Sequence, residues 1–156
     1  MTPSSAAVRR TSPSAAATRA LGVRLGAAAA AGDVIALVGP LGAGKTELAR
    51  GIARGLEVDE PITSPTFILV AEHAGRTPLF HVDCYRLAGA ADALAAGILD
   101  ERAAEGVTVV EWADRIGAAL PPGRLEIVID GAGDEPRTLD LRATDARHAR
   151  LLEAVA

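Results

Sequence analysis

Short apolar runs alternate along this chain with segments whose apolar residues recur at helical spacing. The runs at 34–38, 79–82, 107–110 and 125–129 are rich in Val, Ile and Leu and read as strands, the first of them buried. Residues 67–71 and 138–142 extend the set. The short gap around 73–78 predicts an antiparallel hairpin between 67–71 and 79–82. A second pair, 125–129 with 138–142, is expected around the turn Gly131-Ala132-Gly133-Asp134. Leu21 and Leu25 mark a helix that opens at Ser12-Pro13, with Ser12 as its N-cap, and stops at Ala31-Gly32. Leu48, Ile52 and Leu56 form the inner stripe of a helix over about 45–56. Residues 88–105 read as one or two short helices, and a terminal helix starts near Ala146. This alternation predicts an α/β fold with a mixed, partly parallel central sheet flanked by helices. Residues 1–11, rich in Ser, Thr, Pro and Arg, are expected to be a flexible N-terminus or a short edge strand.

The most informative stretch joins the first buried strand to the second helix. Gly39-Pro40-Leu41-Gly42-Ala43-Gly44-Lys45-Thr46 matches G-x-x-x-x-G-K-[ST] in full. Each residue type has a physical reason. Glycines let the backbone curl so that its N–H groups face phosphate oxygens, and the helix behind them adds the positive end of its dipole. The lysine reaches the β- and γ-phosphates, and the threonine hydroxyl binds Mg²⁺. A chance match is the plain alternative. With 16 Gly, one Lys and 15 Ser plus Thr in 156 residues, chance gives roughly one match in a thousand such chains. Lys45 is the only lysine among 16 basic residues. A planar guanidinium cannot replace a compact ammonium in a ring of amides. The motif implies a single P-loop NTPase-like domain over 12–156, with a nucleoside triphosphate and Mg²⁺ as its expected ligands.

Composition narrows the class. The chain is 49% hydrophobic and only 3% aromatic, so its core is aliphatic. A net charge of −4 argues against this chain alone gripping a nucleic-acid backbone, though not against a nucleic acid held by a partner. One cysteine, Cys84, excludes an internal disulfide. No segment approaches the roughly 20 apolar residues of a membrane span, and residues 1–10 lack the apolar stretch of a secretory signal. A cytoplasmic protein that does not engage a membrane is expected.

P-loop enzymes carry a second Mg²⁺ carboxylate at the end of an apolar strand. Three candidates exist: Asp83, Glu111 and Asp130. Asp130 runs straight into Gly131-Ala132-Gly133 and reads as a hairpin-turn acid. Spacing does not choose between Asp83 and Glu111, and both could converge on one metal.

At this point the chain resembles the bacterial TsaE (YjeE) family, the ATPase component of tRNA threonylcarbamoyladenosine synthesis. Four segments carry the likeness in order: Leu41-Gly42-Ala43-Gly44-Lys45-Thr46, Ser64-Pro65-Thr66-Phe67, His81-Val82-Asp83-Cys84-Tyr85-Arg86-Leu87, and Val110-Glu111-Trp112. Weaker likeness reaches forward to Thr18-Arg19-Ala20-Leu21-Gly22 and back to Asp130. The resemblance implies that Leu41 to Thr46 hold the nucleotide, with Lys45, Asp83 and Glu111 catalytic. It puts Thr46, Asp83 and Glu111 around Mg²⁺, Thr66 in a switch-like loop near the γ-phosphate, Thr18 on the base side and Trp112 beside the site. It implies TsaB-like and TsaD-like partners, with tRNA held mainly by that complex. Pro40, Glu47 and the segment 88–92 depart from the family's usual residues. Outside the resemblance, His81 reads evenly as a core-edge or a site residue, Tyr85 as a core-edge residue and Trp112 as packing before catalysis, Arg86 as a partner of an acid or of phosphate, and Cys84 as a small buried residue.

Other classes compete. A small-molecule P-loop kinase needs an Arg-rich lid, and residues 86–115 hold only Arg86, Arg102 and Arg115. A classical GTPase reads guanine with Asn-Lys-x-Asp, and this chain has no Asn, no Gln and no second Lys. A nucleotide-gated binding module with little turnover grades into the ATPase and differs from it only in rate.

Overall fold

The computed structural model describes residues 6–62, 70–97 and 101–156. Among the described residues, seven strands form one sheet: β1 (Ala6–Ser12), β2 (Val34–Val38), β3 (Val70–His73), β4 (Leu79–Asp83), β5 (Val107–Glu111), β6 (Leu125–Asp130) and β7 (Arg137–Ala143). Their order is β1-β7-β6-β2-β5-β4-β3. β2 runs parallel to both β5 and β6, and β4 runs parallel to β5. The pairs β1–β7, β6–β7 and β3–β4 are antiparallel. The mixed sheet therefore has the parallel centre and hairpin wings that the apolar runs predict. Chain order turns about at β2, the place where open α/β sheets bind ligands.

The described residues also form four α-helices: α1 (Ala15–Ala28), α2 (Lys45–Gly55), α3 (Ala90–Ala96) and α4 (Ala146–Glu153). Strand alternation sorts side chains between two faces. Ile35, Leu37, Val109, Ile127 and Leu139 pack with Leu25 of α1, Leu48 and Ile52 of α2, and Leu151 of α4. Ala36, Val82 and Val110 face the other way, against Ala93 of α3 and Ile116.

Ser12 does not cap α1. It ends β1 opposite Arg137 of β7, and the helix starts at Ala15 with Ser14 as its cap, the Ser14 hydroxyl accepting from Ala17 N–H at 3.1 Å. Strand pairing claims Ser12 first, and Pro13 falls in the connection. The far end also comes earlier than Ala31, because Ala29 is already extended at ψ 148°.

α1 and α2 touch along glycines. A Cβ on Gly26 would stand 2.1 Å from the Ile52 carbonyl oxygen, and one on Gly51 would stand 2.2 Å from that of Arg19. Cβ atoms on Gly22 and Gly55 would meet the Leu48 and Val23 carbonyl oxygens at 2.5 and 2.2 Å. Backbone meets backbone here, so any side chain must part the two helices.

Candidate functional site

The phosphate loop leaves the end of β2 and enters α2 at Lys45. Gly44 takes the N-cap position in a left-handed conformation, φ 114°, which a side chain rarely adopts. Among the described residues no side chain caps α2, which leaves its first N–H groups to an anion. Lys45 is 5% exposed. Its ammonium donates to the Gly39 and Pro40 carbonyls at 2.6 and 2.9 Å and lies 4.0 Å from the Trp112 ring centroid. Burial pushes its pKa below the ordinary lysine value, and Glu111, Asp114 and Asp83 pull the other way. Leu41, at the loop tip, is 82% exposed, whereas Ala43 is fully buried.

Glu111 and Asp83 end adjacent parallel strands in direct register, and Leu37 of β2 lies on the other side of Glu111. Glu111 is 2% exposed. Its Oε1 accepts from the Thr46 hydroxyl at 3.2 Å, and its Oε2 lies 2.5 Å from His81 Nε2. Asp83 Oδ1 accepts from Tyr85 N–H at 2.9 Å. Asp130 ends β6 exposed, with its carboxylate turned onto Gly131 N–H. The sheet thus joins Thr46 to Glu111 and sets Asp83 beside it, while Asp130 serves its own turn. Thr66, with the rest of Ser64-Pro65-Thr66-Phe67, lies outside the described residues.

The opposite side of the loop bounds a cavity of about 310 Å³ lined by Thr18, Gly42, Gly44, Glu47, Asp134 and Arg137, among others. Thr18 is 2% exposed and its hydroxyl pairs with that of Ser12 at 2.7 Å. Arg137 clamps the β6–β7 turn to the loop. Its guanidinium donates to the carbonyls of Ala43 at 3.1 Å, Gly42 at 3.3 Å and Gly133 at 3.0 Å, and also to that of Glu135. The residue-type pattern did not single out Arg137, and it gave Ser12 only a capping role; strand pairing was the available signal for both.

Trp112 follows Glu111 in a left-handed conformation, φ 57°, that is uncommon for a bulky residue. The turn swings its ring over Lys45 and against Tyr85, centroids 4.9 Å apart, with the Arg115 guanidinium 4.9 Å from the Tyr85 ring. Cys84 is buried, and burial, with Asp83 and Asp114 adding to it, pushes its thiol up to about 12. It is therefore no nucleophile at neutral pH.

A G-x-x-x-x-G-K-T loop between a central parallel strand and a helix, at the switch point of a mixed sheet, defines a P-loop NTPase-like fold. The model of the family "Threonylcarbamoyl adenosine biosynthesis protein TsaE" matches residues 12–139. The chain belongs to the TsaE family. It is 40% identical to the Bacillus subtilis tRNA threonylcarbamoyladenosine biosynthesis protein TsaE over 137 residues, 87% of this chain and 85% of that protein. The Mycobacterium leprae protein of the same name is 46% identical over 122 residues, 72% of this chain and 76% of that one. The crystal structure of Bacillus subtilis YdiB superposes with a TM-score of 0.78 at 37% identity, covering 96% of this chain and 94% of the other.

Proposed function

We propose that this chain binds ATP with Mg²⁺ and hydrolyses it in the service of tRNA threonylcarbamoyladenosine synthesis. The observation that carries the reading is the meeting of Lys45, Thr46 and Glu111 at one phosphate loop in a TsaE-family chain. Lys45 would exchange two backbone carbonyls for phosphate oxygens. Gly42, Ala43 and Gly44 would offer N–H groups, with Leu41 leading into them and Thr18 on the base side.

The residues present fit Mg²⁺. Thr46, Asp83 and Glu111 offer hard oxygen donors. Among the described residues, no three His, Cys, Asp or Glu side chains gather into a cage of their own. Mg²⁺ suits such a site, because it takes one or two carboxylates and completes its shell with phosphates and water. Bound there, it would neutralise charge on the β- and γ-phosphates. Water would then attack the γ-phosphorus, the bond to the β-phosphate oxygen would break, and ADP and phosphate would leave. Glu111 and Asp83 would hold the catalytic carboxylates, and Thr66 would act from its loop near the γ-phosphate.

TsaB-like and TsaD-like proteins are the proposed partners, and they would hold most of the tRNA, in keeping with a net charge of −4. Residues 12–156 would work as one nucleotide-binding domain. No helix among the described residues is long and apolar enough to cross a membrane, and we place the work in the cytoplasm. The test mixes the chain with TsaB–TsaD-like partners, ATP, threonine, bicarbonate and tRNA. Multi-turnover modification that needs this chain is expected. Modification at the same turnover without it would overturn the reading.

A further inference from the structure

We propose that His81 is a positioning residue that holds the Glu111 carboxylate in register with the phosphate loop; the inference rests on the ATP-hydrolysing reading above. His81 stands two residues before Asp83 on β4, so both side chains leave the same face of the sheet. That face is apolar further in, where Leu79 and Val109 join the main core. The imidazole is fully buried there. A buried polar ring in such a place needs a partner, and its partner is Glu111.

The two carboxylate oxygens divide their work. Oε2 faces His81 Nε2 at 2.5 Å, and Oε1 faces the Thr46 hydroxyl at 3.2 Å. His81 Nδ1 is buried and has no hydrogen-bond partner among the described residues. A bare acceptor nitrogen is tolerated more easily than a bare N–H, so the proton sits on Nε2 and the ring donates to Glu111. In the reading above Thr46 would be the metal-facing hydroxyl, so its bond to Glu111 would not by itself fix the carboxylate once a cation is bound. His81, fixed on a central strand, then remains the donor that keeps Glu111 from swinging. This is the arrangement in which an outer partner orients a ligand without touching the reacting atoms.

Two substitutions in the full chain test this. His81→Leu fills the space without a donor. His81→Gln carries an amide N–H to about the place of Nε2. For His81→Leu, we expect partner-stimulated hydrolysis to fall by about 10–100-fold and the Mg²⁺ concentration for half-maximal ADP binding by calorimetry to rise by about tenfold, with Mg²⁺-free ADP affinity within about twofold. His81→Gln should recover most of both losses, which a merely structural histidine would not require. A folded His81→Leu chain with the parent's turnover and Mg²⁺ dependence would overturn the proposal. So would a folded His81→Gln chain as slow as Glu111→Ala. If His81→Leu does not fold, the Gln chain decides alone: near the parent supports the proposal, near Glu111→Ala overturns it. A parent chain that binds no ADP in the presence of Mg²⁺ would remove the nucleotide reading itself, and this inference with it.

Discussion

The glycines between α1 and α2 and the glycines of the phosphate loop occupy opposite surroundings. In the helix seam, Gly26 and Gly51 lack room: a Cβ would meet a carbonyl oxygen at 2.1 or 2.2 Å. In the loop, Gly42 has open space, with nothing within 4 Å of a Cβ, but its φ is +79°. The seam needs an absent side chain because two backbones touch. The loop needs one because its conformation would strain a side chain. The first requirement concerns the scaffold, and the second concerns the ligand. Substitutions in the two regions should therefore separate stability from activity.

The largest effect is expected at Lys45. Lys45→Ala should slow hydrolysis by about a thousandfold or more, about 4 kcal/mol of transition-state stabilisation. The urea midpoint should stay near the parent's, because the loop carries function rather than scaffold. A parental hydrolysis rate would defeat the P-loop reading.

Gly26→Ala should do the reverse. Overpacking costs about 1–3 kcal/mol, and here the obstacle is backbone, so the upper end is expected in chemical denaturation. Alanine is the better helix former by about 0.5–1 kcal/mol, so an unchanged or raised stability would show that the helices part freely. At a temperature where the variant stays folded, its turnover should match the parent's.

Glu111→Ala sharpens the loop side of the comparison. Turnover should fall by about 10–100-fold while nucleotide affinity changes far less. Asp130→Ala should change neither, because its carboxylate serves the Gly131 turn. An essential Asp130 beside a dispensable Glu111 would mean that the wrong strand had been chosen.

Gly42→Ala lets the open loop relax out of its left-handed φ, so the cost of about 1–2 kcal/mol for restoring it falls on nucleotide binding, read as weaker affinity at nearly unchanged stability.

The smallest effect lies in neither region. Burial works against the Asp145 carboxylate, but the His148 N–H and imidazole, with Arg147, hold its pKa below 3.8. Burial likewise opposes Glu126, and Arg142 and Arg124 hold its pKa below 4.5. Both values are depressed on folding, so the stability they add is full above those ordinary values and is lost as pH falls through the folded ones. Each contributes about 0.5 kcal/mol for a solvent-facing pair. A urea series from pH 6 to pH 3 should show a fall that Asp145→Asn makes shallower, since asparagine keeps the cap but does not titrate.

Sequence legibility follows the range of each constraint. The place of the loop from Gly39 to Thr46, between a strand and a helix, was plain because its motif is contiguous in the chain. Strand β2 was plain because burial on both faces leaves an unbroken apolar run. Ser12 misled because a local Ser-Pro cap signal competes with pairing to Arg137, which lies far along the chain. Arg137 itself was hidden, since its partners are carbonyls and carbonyls carry no sequence signature. The seam glycines carried no signal, since what each one touches is the backbone of the other helix. Asp83 and Glu111 could not be ranked by spacing, and the sheet explains why: they are register neighbours at one end of it.

The fold also hides the chain's only side-chain amine. Lys45 is 5% exposed, with its ammonium held by two carbonyls beneath an indole. An amine-directed acylating reagent has therefore one side-chain target in these 156 residues, and it lies in the phosphate loop. The count of acyl groups on the peptide that carries Lys45, read by mass apart from the α-amine, becomes a direct gauge of how often that loop opens to solvent. A nucleotide that covers Lys45 should lower the count, with no engineered probe and no change to the sequence.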